Sequence, residues 1–536
     1  MVRHDEQATG VEDRAGVKKP PDAGLSVDGR EETMGAASTA MGSTLRHLAK
    51  HSTIYASADI LAKIVGFILL PLYTRKFSTA EYGILALILI LNTIPARLVA
   101  QGIPHWALKV ITLDYRDDPQ RRRKAISTAY YYLLLSALVV NALLLPTIPM
   151  VARWVLKSEQ YNHLLVCSLG ISVLQTARGI PLYVLLRARF RSVLYAILSF
   201  CEFLAGVSLN IYFVVFLDSG IAGIIYTDLI VGFAMAVIAF FIILPELVVS
   251  FSLSELRGMI SFGWPLVPAS LSMWLLDFAD RFQLQRLSTT LEVGLYTVGS
   301  KFAGIFEFMY LSQFEKVWPS AFFPLTKAEN AKQKLGQLLT YLLLGACGLG
   351  LAVVLFVDPV VKLTLEKSYW RASSVTVWLV AGFILEMVYQ VFSGGLRVSN
   401  RTSFLPGIVG FGTALNLIAN LWVLPRWGML GAGFTTFCAF AVMAAFAYYY
   451  SNRFYPVAYE WGRLLRIGAL FVAIVVIDSL GSPEDPIVSI PFKVVELIAF
   501  VAGVFLLRVA SPADVQACRE IARKVFTGAG RALGRS

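Results

Sequence analysis

The sequence predicts an all-α integral membrane protein, with about fourteen transmembrane helices forming two six-helix lobes plus two C-terminal helices. Hydrophobic residues fill 57% of the 536 positions and charged residues only 15%. Soluble proteins hold about 45–50% and about 25%. The apolar residues come in runs of roughly 20, enough for a helix to cross a hydrocarbon core about 30 Å thick. A short motif also recurs at an offset of 211 residues, at matching places in the helix count.

Residues 1–51 are polar, with seven Lys/Arg and eight Asp/Glu before His51, and read as a disordered cytoplasmic tail. They lack the charged-then-apolar layout of a signal peptide. The first lobe, 52–244, holds apolar runs at about 52–74, 80–101, 126–147, 161–185, 193–217 and 221–244. The second, 245–451, holds runs at 263–287, 293–314, 335–357, 372–394, 404–423 and 429–451. Residues 452–508 supply two more, 463–480 and 490–508, and 509–536 form a basic cytoplasmic tail. Pro71, Pro95, Pro146, Pro265 and Pro268 fall inside runs, where a bundle tolerates bends. Gly394, Gly395, Gly428, Gly431 and Gly433 mark close helix contacts or helix ends.

Net charge is +12, but Lys and Arg are spread among the short loops between apolar runs. That pattern is a topology signal, whereas a nucleic-acid binder gathers its cations on one face. Alternate loops carry the excess, most densely in Asp114–Lys124 and at Arg187, Arg189 and Arg191. These loops, and therefore both termini, belong in the cytoplasm. Arg97 and Arg178 sit near inner helix ends, where long side chains snorkel to the interface. The five cysteines show no CxxC spacing and the histidines no ligand spacing, so no metal site, disulfide framework or cofactor is expected.

The repeated motif reads Arg75-Lys-Phe-Ser-Thr-Ala-Glu81-Tyr-Gly83 between the first and second runs. It returns as Arg286-Leu-Ser-Thr-Thr-Leu-Glu292-Val-Gly294 between the seventh and eighth. Glu follows Arg by six residues and Gly by eight in both. Such a duplication implies parallel half-bundles enclosing a cavity and rocking against each other.

The same stretches resemble a known family. Lys50-His-Ser-Thr-Ile-Tyr-Ala-Ser-Ala-Asp59, Lys63-Ile-Val-Gly-Phe-Ile-Leu-Leu-Pro-Leu-Tyr-Thr-Arg75 and Ala80-Glu-Tyr-Gly83 are similar to the start of polysaccharide biosynthesis flippases, the Wzx-like O-antigen and exopolysaccharide transporters. Gly263-Trp-Pro-Leu-Val-Pro, Asp280-Arg-Phe282, Val293-Gly-Leu-Tyr296 and Lys301 resemble that family's seventh and eighth helices. The resemblance spans roughly 45–510. It implies a MATE-like fold shared with drug exporters and lipid II flippases. It also implies a cargo of oligosaccharide linked through diphosphate to a polyprenol, and a bacterial cytoplasmic membrane.

Ionisable residues within the runs invite functional roles, because each costs roughly 2.5–3.5 kcal/mol on insertion scales. Asp59 and Lys63 share a helix face, as do Asp277 and Arg281. Ser270, Trp274, Asp277 and Arg281 form one stripe at helical spacing, suited to a wet cavity. For a diphosphate cargo, Lys63, Arg281 and Lys301 supply positive charge, and Trp274 or Tyr310 stack on sugars. The alternative is that Asp59–Lys63 and Asp277–Arg281 are internal pairs that let polar helices insert. Asp59, Asp277, Asp280 and Glu386 are the candidates for ion pairing or for carrying a coupling proton.

Three functions compete. The first is a flippase for a polyprenyl-diphosphate-linked O-antigen, capsule or exopolysaccharide unit, working on the lipid bilayer beside a polysaccharide polymerase and other assembly proteins. A drug–cation antiporter or a lipid II flippase keeps the fold and changes the cargo; acids outnumber bases within the runs, which favours cations. A membrane glycosyltransferase or polymerase needs a large exterior loop bearing catalytic residues. No exterior loop here exceeds about 15 residues, so no catalytic residue is expected.

Overall fold

A computed structural model describes residues 66–509, apart from 101, 116, 190, 265–266, 327–329 and 400. All of them belong to one unit, Ala58–Ser536. The two tails and the first run up to residue 65, with Asp59 and Lys63, lie outside the described residues.

The described residues form helices and no strand. The first described helix of this lobe, α1, is Leu70–Lys76. The first lobe continues with α2 (Thr79–Ala100), α3 (Pro119–Leu156), α4 (Glu159–Leu185), α5 (Ser192–Phe216) and α6 (Gly220–Glu246). The second lobe starts with α7 (Val267–Leu287) and α8 (Thr290–Phe306). Next come α9 (Ala331–Thr364) and α10 (Ser373–Val398). The single helical stretch Phe404–Phe454 is two helices, α11 (404–427) and α12 (429–454). The chain ends in α13 (Trp461–Gly481) and α14 (Pro486–Leu506).

The division at Gly428 is a full reversal. Its φ of 52° and ψ of −130° suit glycine, which has no Cβ to clash. Ring pairs then run up the hairpin, with Phe404 against Tyr450 at 5.0 Å and Phe411 against Phe446 at 5.1 Å. Gly394 and Gly395 mark close contacts as the sequence predicts: a Cβ on them would meet the Phe322 ring and Ser451.

Ten described helices are long and apolar enough to cross a membrane, the α11–α12 stretch counting as one. Splitting that stretch and adding α7 and α8 gives thirteen; the first of the expected fourteen runs lies largely outside the described residues. Four charges (Asp277, Asp280, Arg281, Arg286) keep α7 out of the apolar set. Beyond Phe306, α8 passes through a π-helical turn, Glu307–Leu311, into a further helix, Ser312–Thr326.

The repeated motif is a helix start. Ser78 Oγ accepts from Glu81 N at 3.3 Å, and Glu81 Oε2 accepts from Ser78 N at 2.9 Å, a reciprocal capping box. Thr289, 211 residues on, caps α8 by accepting from Glu292 N at 3.2 Å. Here the Glu carboxylate has another use, accepting from Met429 N at 2.8 Å beside the reversal.

The glycines of the two motifs meet each other. An added Cβ on Gly83 would lie 2.3 Å from Thr290 O and 3.0 Å from Gly294 N. One on Gly294 would lie 1.9 Å from Thr79 O and 3.2 Å from Gly83 N. Thr79 and Thr290 share the 211 offset, so equivalent positions exchange equivalent contacts, the signature of a two-fold relation. Around this crossing Tyr369 donates to Phe77 O at 2.8 Å, and its ring sits edge-on to Tyr82.

The connection between the lobes is stitched to α3. Ser127 Oγ accepts from Val248 N at 2.9 Å, and Thr128 Oγ1 accepts from Ser252 N at 3.1 Å. Buried Glu246 pairs with Arg189, and Glu255 pairs with Arg121 at 3.3 Å. Arg178 corrects the sequence expectation: rather than snorkelling, it pairs with Glu202, joining α4 to α5.

Candidate functional site

A polar cavity of about 410 Å³ lies within the second lobe, among α7, α8, α10 and α12 and the turn after α8. Its chemistry comes from Asp280 and Arg281 of α7, Glu307 and Glu315 after α8, and Glu386 of α10. Phe278, Phe383 and Phe440 supply aromatic walls. The π-helical turn carries Glu307 to the lining. Such turns break the regular i→i+4 ladder and recur at functional sites.

Asp280 anchors one wall and is 2% exposed. It accepts from Tyr296 OH at 2.8 Å, Asn420 Nδ2 at 2.8 Å and Thr436 Oγ1 at 2.9 Å. Asn420 also donates to Gln283 Oε1 at 2.8 Å, and Thr435 donates to Asn420 Oδ1. Asn416, one turn earlier on α11, reaches Thr436 Oγ1 at 3.2 Å. A buried carboxylate persists when donors surround it, and this one draws them from α8, α11 and α12. Its neighbour Arg281 donates to Ser300 Oγ at 2.8 Å. The guanidinium sits 5.2 Å from the Tyr296 ring centre and 5.6 Å from that of Phe278, within cation–π range.

Three of the predicted site residues, Asp280, Arg281 and Glu386, therefore share one cavity. Trp274 and Lys301 stand instead at the seam with the first lobe. Trp274 donates from Nε1 to Thr93 Oγ1 of α2 at 2.9 Å, and Lys301 Nζ lies 5.4 Å from the Tyr82 ring centre. Tyr310 turns toward α9, its hydroxyl donating to Leu342 O and its ring stacked on Phe306. Asp59 and Lys63 are outside the described residues, as are the side chains of Ser270 and Asp277.

Sequence reasoning missed Tyr296, Asn416, Asn420, Thr435 and Thr436. One signal was present: Asn416 and Asn420 are four apart in an apolar run, a spacing that puts two amides on one face. Glu307 carried a different one, as an acid inside the run 293–314, whereas Glu315 lay outside the runs; their convergence depends on the π-helical turn.

The sequence profile of the polysaccharide biosynthesis protein family matches residues 72–374, more than half of the chain. The chain belongs to that family. No curated protein matches it. Among solved structures, this family member is similar to the lipid II flippase MurJ in an inward closed conformation, with 11% identity and a TM-score of 0.65. The match covers 85% of this chain and 98% of that one. It is also similar to a multidrug resistance MATE transporter in an inward-facing conformation, with 16% identity and a TM-score of 0.51, over 73% and 97% of the two chains. At these identities the likeness establishes the fold: a multi-pass membrane bundle of two six-helix lobes, here with two further helices.

Proposed function

We propose that this family member flips an oligosaccharide carried on a polyprenyl diphosphate from the inner to the outer leaflet of a bacterial cytoplasmic membrane. The task is to move a hydrophilic, anionic head across hydrocarbon while its lipid tail stays in the bilayer. The polar cavity lies in the second lobe rather than between the lobes. It offers the head a polar wall inside the apolar bundle, while rocking of the lobes carries the head to each side in turn. The observation that carries this reading is the crossing of α2 and α8 at Gly83 and Gly294. There the half-bundles touch through equivalent residues, a joint that closes and opens as one unit.

Arg281 is the cavity's cation for the diphosphate, since its planar fork bonds two phosphate oxygens at once. Lys301 adds charge at the seam. The carboxylates of Glu307, Glu315 and Glu386 accept hydrogen bonds from sugar hydroxyls, and the phenylalanines offer apolar faces to the rings. The flipped unit then passes to a polymerase and other assembly proteins.

Replacing Arg281 and Lys301 together by alanine is expected to cut surface polysaccharide at least tenfold in a strain lacking the native gene. The variant should stand at wild-type level in the membrane while the lipid-linked precursor accumulates. Full restoration of the polysaccharide by the double variant would remove both residues from the cargo path.

The same carboxylates favour a second reading, export of cationic drugs, because acids outnumber Arg281 in the lining. Hypersensitivity of the deletion strain to cationic drugs with unaltered polysaccharide would select it.

Orientation follows from the loop charges, with Asp114–Lys124 inside and both termini cytoplasmic. A reporter fused after Lys124 should behave as cytoplasmic, and one fused after Glu292 as external. Reversal of either would invert the assignment.

A further inference from the structure

The two helices beyond the lobes carry charge deep in an apolar setting. Lys493 of α14 is fully buried, and its ammonium donates to Asp478 of α13. It lies seven residues into the helix, about 10 Å from the helix start. Glu496, one turn further, is 4% exposed and lies beside the same Asp478. Neither of its carboxylate oxygens receives a hydrogen bond from a described residue.

Two negative charges thus share one positive charge. The pair Lys493–Asp478 is complete by itself and suffices to hold α13 against α14. Glu496 is surplus to it, and a buried carboxylate without donors is costly. Where Glu496 meets Asp478, two acceptors face each other with no donor to Glu496 among the described residues. One proton resolves this, turning the contact into an O–H···O bond and leaving the cluster neutral.

The charged groups beside Glu496 are Asp478 on α13 and Lys493 on α14. On α9, which packs along α14, Asp358 and Lys362 pair with each other at 2.8 Å. We propose that Asp478, Lys493 and Glu496 form a proton-binding site between α13 and α14, with Glu496 the group that takes up and releases the proton. The exchange is Glu496 carboxylate plus one proton from water giving Glu496 carboxylic acid, with no other bond made or broken. Lys493 holds Asp478 charged, so the proton settles on the partner that lacks an ammonium.

The test is infrared difference spectroscopy of the purified full chain in nanodiscs, between alkaline and mildly acidic pH. The wild-type protein should show the carbonyl stretch of a newly protonated buried carboxylic acid. Glu496→Gln, which copies the protonated shape, should remove that band while unfolding at the wild-type temperature. A band that survives in Glu496→Gln, or is missing from the wild type, overturns the proposal. So does a response of this carboxylate to added sodium at fixed pH without any response to pH, since the occupant is then a metal cation.

Discussion

Gly294→Ala is expected to abolish export of surface polysaccharide, by at least tenfold, while the protein remains in the membrane. The added methyl carbon would stand 1.9 Å from Thr79 O and 2.9 Å from the carbonyl carbon. Real Cβ atoms essentially never approach within 3.0 Å. Both obstacles are backbone, so no side chain can swing aside, and α2 and α8 must part. The surrounding contacts part with them: Tyr369 loses its reach to Phe77 O, and the Phe67–Phe302 pair at 5.6 Å opens. Overpacking of this kind costs about 1–3 kcal/mol or more, so a lower unfolding temperature should accompany the loss. Gly83→Ala meets the mirror-image obstacle and should behave alike. Gly304→Ala, further along α8 with nothing within 4 Å of its new carbon, is the control and should export normally. Wild-type export from Gly294→Ala at wild-type abundance would show that the lobes do not need this crossing.

Asp280→Ala should have the largest effect on stability. It strips one acceptor from three buried donors, on Tyr296, Asn420 and Thr436, contributed by three helices. A buried donor left without its acceptor costs about 1–3 kcal/mol, and three are orphaned at once. The variant should therefore lose most of its folded yield, read as a large fall in the melting temperature followed by size exclusion. Asp280→Asn keeps one carbonyl acceptor and should fall between the two. Asp280→Ala melting with the wild type would mean that α7, α8, α11 and α12 are held by packing alone.

Much of the fold was legible because membrane helices announce themselves locally. An apolar run of about 20 residues must be a helix, since hydrocarbon leaves no other partner for its backbone. Hence even α11 and α12, joined directly at Gly428, were separable from the sequence. The offset of 211 was equally visible, because a capped helix start leaves a fixed spacing of Ser or Thr, Glu and Gly.

The site was less legible, for a reason that differs residue by residue. Helical spacing located Arg281 on α7, yet it set Arg281 and Trp274 on one stripe, where the structure sends the first to Ser300 and the second to Thr93. Tyr310 had the composition of a sugar platform, but a π-helical turn rotates the residues after Phe306, and its hydroxyl ends on α9. Arg178 resembled an interfacial anchor until Glu202 of the next helix came beside it.

The chain by itself determined the helical membrane class, the approximate number of helices and the duplication, because bilayer thickness, capping and turn chemistry act over a few residues. Only tertiary structure decided that Gly83 touches Gly294, that Asp280 gathers donors from three helices, and that Glu496 meets no donor among the described residues. Those outcomes depend on the rotation and crossing of helices far apart in sequence. Packing across the whole bundle sets those angles, and no local pattern encodes them.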